Sequence, residues 1–174
     1  MKTYIICLSK AFPSSHPMKG KPTDFKMAML SALLCAKCCI RKKGMCMGEC
    51  VASAYIKRHT VRANYPLWAK RIAEVQRGEA VLSVRQWSGR PYMSKQETIA
   101  LLTAQDGIGI QMLKFLPDAD GCILWNQFVI DNRYADIKNV ANNDGLSLED
   151  WREWFRNYDL TKPLAIIHFT SFRY

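Results

Sequence analysis

Apolar residues recur along this chain with two spacings, one of alternate residues and one of three to four, and the switch between them outlines the elements. Residues 3–8 form an apolar run that predicts a first strand, followed by a Pro- and Ser-rich loop over residues 12–17 that Gly20 and Pro22 extend. Thr23 or Asp24 is placed to cap a helix whose Phe25, Met29, Leu30, Leu33 and Leu34 fall on one face. Asn64 opens a second helix with Pro66 in its first turn and Leu67, Trp68, Ile72 and Val75 as its buried stripe; Gly78 ends it. Strand signals then dominate over residues 80–87, 96–102, 107–115 and 122–130, with turns at Ser88–Pro91 and Pro117–Gly121. A short helix is expected over Asp136–Asn142. Ser147 with Asp150 three residues on opens a further one through Leu148, Trp151, Trp154 and Phe155. Leu164 to Phe172 closes the chain as a strand.

Short strands interrupted by three or four helices predict an α+β domain with a small curled sheet or barrel. The 174 residues suit one domain spanning 1–174, and 49% hydrophobic with 23% charged residues is a globular balance that excludes a disordered chain. No run is long enough to span a bilayer, and the apolar start before Ser9 and Lys10 is too short for an export signal. Seven cysteines, an odd number, then point to reduced thiols or metal ligands, and to the cytoplasm. A net charge of +10 favours polyanionic partners, RNA, DNA or phosphorylated ligands, over acidic proteins alone, and no membrane partner is expected.

Within this basic chain one segment concentrates polar chemistry, Lys57-Arg58-His59-Thr60-Val61-Arg62, and a second lies far downstream, Asp144-Gly145-Leu146-Ser147-Leu148-Glu149-Asp150-Trp151. In a regular strand Lys57, His59 and Val61 share one face while Arg58, Thr60 and Arg62 share the other, so Lys57 and Thr60 meet only across a bend or bulge. A threonine hydroxyl attacks only when a base takes its proton. A lysine serves as that base only when burial or nearby cations lower its pKa. The bland alternative makes Thr60 a plain strand former, with Lys57 and Arg62 on a solvated rim.

The Lys-x-x-Thr-x-Arg pattern ahead of a helix and a strand-rich half resembles the core motif of ASCH domains, members of a PUA-like group of small β-barrels associated with RNA and modified nucleosides. The segment from Asp144 resembles the family's acidic residue, tight turn and capped helix, and Ile166-Ile167-His168-Phe169 its closing strand. The resemblance covers residues 57–174. Some family members hydrolyse the acetyl amide of acetylated cytidine with a Thr, a Lys and a Glu. Carried over by motif position, the resemblance implies Thr60 as nucleophile, Lys57 as base and Asp144 as the acidic partner, aspartate here standing one methylene short of the family's glutamate.

Further candidates stand outside the motif. Arg58, His59 and Arg62, with Arg85, Trp87, Arg90, Tyr92 and Lys95, combine cations and aromatics suited to phosphates and stacked bases. His16 is expected in an exposed loop, His168 as a satisfied core or edge residue, and Trp151, Trp154 and Phe155 as core. Cys35, Cys38, Cys46 and Cys50, in a Cys- and Met-rich insertion at about residues 35–50, have the spacing of two half-sites for zinc; the alternative is an adaptable packing surface. Three readings follow: an RNA- or nucleoside-binding module, an amidohydrolase acting on an acylated nucleoside, and a protein-interaction domain using the Cys/Met stretch.

Overall fold

The computed structural model describes residues 1–41 and 56–174. In chain order these are β1 (Lys2–Leu8), α1 (Phe25–Arg41), β2 (His59–Arg62), α2 (Tyr65–Gln76), β3 (Ala80–Trp87), β4 (Gln96–Leu102), β5 (Gly109–Pro117), β6 (Ile123–Ile130), β7 (Arg133–Tyr134), α3 (Ile137–Asn143), α4 (Leu148–Phe155) and β8 (Leu164–His168). The domain is mixed α and β. One sheet has the order β1-β3-β4, with β1 parallel to β3; the other has the order β2-β8-β5-β6-β7 and is antiparallel throughout.

The expected barrel does not form among the described residues. Closure requires a strand that hydrogen-bonds into both sheets. Here the ladders end on four edges, β1 and β4 in one sheet, β2 and β7 in the other.

Local chemistry fixes the elements around the site. Asn64, with φ 62°, caps α2 by accepting from the Leu67 N–H, and Ser147 caps α4 by accepting from that of Asp150. The Thr23 hydroxyl, a candidate cap for α1, donates to the Ser9 carbonyl at 2.6 Å and ties the loop to the end of β1. The last strand stops at His168, short of Phe172; one step beyond it, in the same register, the Phe169 N–H donates to the Arg58 carbonyl at 2.9 Å. Between the sheets and helices lies one core, with Ile72, Leu82, Trp151, Phe155, Ile166 and Ile167 at 0–1% exposure. No helix among the described residues is long and apolar enough to cross a membrane.

Candidate functional site

The strand that would set Lys57 and Thr60 on opposite faces does not reach back to Lys57. Lys57 lies outside β2 and pairs with Asp144 as an isolated antiparallel bridge, and the strand begins two residues later at His59. At this break the Arg58 N–H donates to the Asn143 carbonyl at 2.8 Å, while the Lys57 N–H donates to the Ala28 carbonyl of α1 at 3.1 Å. Lys57, Thr60 and Arg62 consequently line one cavity of about 50 Å³ together with Asp144.

Asp144 reaches it from the C-terminus of α3, where its N–H closes the helix by donating to the Val140 carbonyl at 3.0 Å. Gly145 follows at φ +81°, and a Cβ there would lie 3.4 Å from the Lys57 Cβ and from the Phe25 ring. Glycine thus allows both the left-handed turn and the close passage of Lys57. The Lys57 ammonium donates to the Asp144 carboxylate and to the Asp144 main-chain carbonyl, 2.5 Å in each case, and sits 4.0 Å from the centre of the Phe25 ring. The second carboxylate oxygen accepts from the Trp151 indole N–H at 3.2 Å. Arg62 donates to the Cys7 carbonyl at 2.7 Å, bringing the end of β1 against the cavity.

Burial governs the electrostatics of this group, since Lys57 is 1% and Asp144 3% exposed. It pushes the Lys57 pKa down; the Asp144 carboxylate pulls it back up, and the Arg62 charge pushes it down again. It pushes the Asp144 pKa up, against the opposing pull of Lys57, Arg62 and the Trp151 N–H. Both shifts run against the charged forms, and the downward one on Lys57 eases the loss of the proton that a lysine base must shed.

Cys7, Leu8 and Ser9 form a wall common to this cavity and a larger cleft of about 730 Å³. Trp87, Arg90 and Tyr92 line the cleft, the two aromatic rings 5.3 Å apart, together with Phe12 and Lys10, whose ammonium donates to the Ser88 carbonyl at 2.7 Å. The cleft has room for a ring system, and the cavity that shares its wall for only a few heavy atoms.

The remaining candidates lie elsewhere. Arg85 donates to Ser83 and Gln96 on the β3–β4 sheet, and Lys95 is exposed; neither lines the cleft. Arg58 faces a third cleft on the other side of the break. His59 is fully buried beside His168, its register partner, with rings 5.5 Å apart, and its Nε2 lies 2.8 Å from the Tyr174 hydroxyl. His168 corrects the expectation of a satisfied histidine: both of its ring nitrogens are buried with no hydrogen-bond partner among the described residues. His16 corrects the expectation of an exposed loop residue. It is 3% exposed, packs on Phe12 at 4.5 Å and accepts from the Met18 N–H, because the loop folds back onto α4.

Of the zinc candidates, Cys46 and Cys50 fall outside the described residues, as does most of the 35–50 insertion; Cys35 is a free, half-buried thiol. No cluster of three or more metal-ligating side chains occurs among the described residues. Sequence reasoning treated Trp151 as core alone and passed over Cys7–Ser9. A buried indole needs an acceptor for its N–H, and that signal would have paired Trp151 with a buried carboxylate. Comparisons with protein-family models, with curated proteins and with solved structures find no match for this chain.

Proposed function

We propose that this is a nucleoside-handling domain of the ASCH, PUA-like type that removes an acyl group from the exocyclic amine of a nucleobase. The observation that supports the reading is the convergence of Lys57, Thr60 and Asp144, distant in sequence, in one buried cavity beside an aromatic, basic cleft. In this reading the base stacks at Trp87 and Tyr92, Arg90 and Lys10 meet any phosphate, and the acyl group enters the cavity. The Thr60 oxygen attacks the acyl carbonyl carbon while its proton passes to a neutral Lys57. The C–N bond breaks as Lys57 returns that proton to the departing amine. Water then cleaves the threonyl ester, giving the free carboxylic acid and regenerating Thr60. Asp144 orients Lys57 throughout and stabilises the ammonium that forms when Lys57 takes the Thr60 proton.

The test is incubation with acetylcytidine followed by chromatography. Cytidine and acetate are released in equal amounts by the native chain, more slowly by Thr60→Ser, and not by Thr60→Ala. Absence of cytidine, or full activity in Thr60→Ala, overturns the reading. The double hold of Asp144 on the Lys57 ammonium favours a second reading, a binding module in which the charged pair recognises a modified base or RNA without chemistry. In that case acetylcytidine binds and is recovered intact.

A further inference from the structure

A third cleft, of about 550 Å³, opens on the far side of the break at Arg58. Its rim is built by the β6–β7 hairpin, whose two loop residues, Asp131 (φ 47°) and Asn132 (φ 64°), are both left-handed. That tight turn carries Arg133 and Tyr134 out into solvent, Tyr134 at 83% exposure. Across the cleft the Arg58 guanidinium lies 5.0 Å over the Phe172 ring, a stacking that leaves its N–H edges available. Arg173 adds charge, its own donors being used on the Thr170, Phe172 and Gly107 carbonyls. One carboxylate, Asp136, which caps α3, lines the cleft against the three arginines; Asp131, at the turn, accepts from the Met112 N–H and Gln111. The exposed residues Asn139 and Asn142 also line the cleft.

We infer that this cleft is a second ligand site, separate from the Lys57 cavity, and that it binds single-stranded RNA. Arginines against phosphates, an exposed tyrosine for stacking and amides for base edges are the three contacts an unpaired strand requires. A cleft of this size admits one or two unstacked nucleotides and excludes a duplex. Lys57 and Arg58, adjacent in the chain, send their side chains to opposite sites, so a strand bound at Arg58 runs close to the cavity without entering it.

The probe is a fluorescein-labelled uridine dodecamer, titrated by anisotropy at several salt concentrations between about 50 and 200 mM. Native chain and Thr60→Ala should bind alike. Arg133→Ala/Tyr134→Ala should bind at least tenfold more weakly, with a salt slope shallower by about one. Arg133→Glu, a single exposed reversal that the fold tolerates, should weaken binding by a similar factor. Poly-glutamate at equal charge should fail to compete. Both variants should hydrolyse free acetylcytidine at the native rate, so that failure here is distinct from failure of the hydrolase reading. The inference is overturned if the dodecamer does not bind at the lowest salt, if either variant binds it like the native chain, or if poly-glutamate competes equally.

Discussion

Asp144 holds the Lys57 ammonium twice, through its carboxylate and through its own main-chain carbonyl. The hold is buried at both ends, so each partner's charge depends on the other's presence. Lys57→Met leaves a carboxylate without its counterion, and Asp144→Asn leaves an ammonium without one. Each change should cost about 3–5 kcal/mol in urea unfolding. The double variant should cost much less than the sum, since no buried charge is then stranded.

The pH dependence of hydrolysis should report Lys57. A base works only when deprotonated, so the rate rises with pH and levels off once Lys57 is neutral. Burial places that plateau below the ordinary lysine range. Asp144→Asn removes the pull that raises the Lys57 pKa and should move the acidic limb to lower pH. Arg62→Gln removes a repulsion and should move it to higher pH. Limbs that move together, or not at all, would assign the titration to another group.

Trp151 is a positioning residue for the carboxylate. Trp151→Phe keeps most of the packing and deletes the N–H that reaches Asp144. A hydrogen bond to a charged acceptor is worth about 1.5–3 kcal/mol, and a loss of that order is expected in the denaturation midpoint. The same variant should slow acetylcytidine turnover while leaving KM near its native value.

His168 should make the fold sensitive to mild acid. Burial, with the Arg173 charge adding to it, depresses its pKa from the ordinary histidine value to about 3. Between those two values the unfolded chain binds a proton that the folded chain refuses, so stability falls as pH drops from about 6.5, by about 1.4 kcal/mol per unit for this one group. His59, neutral for the same reason of burial and lowered further by His168, adds a second such loss. His168→Leu should be less sensitive than the native chain when unfolding is compared at pH 7 and pH 5.

Much of this fold is legible in the sequence because its signals are local. The caps at Asn64 and Ser147, the strand-forming run over residues 80–87 and the Pro117–Gly121 turn each act within a few residues. What escapes is set at a distance. The parallel pairing of β1 with β3 joins residues nearly half the chain apart, and the burial of His16 depends on a helix more than a hundred residues away. Alternation sent Lys57 and Thr60 to opposite faces. The break at Arg58, held by Asn143 and Phe169, reunites them, and no signal within residues 57–62 announces it.

That break also fixes how the two sides of the protein relate. Lys57 and Arg58, just ahead of β2, face Asp144 and Asn143 at the end of α3, and the members of each pair serve different clefts. The rung from the Arg58 N–H to the Asn143 carbonyl lies where the two sets of side chains part, so any coupling between the clefts has this short backbone path to follow. By thermodynamic reciprocity, whatever one cleft's occupant does to affinity in the other, the other's occupant returns by the same factor.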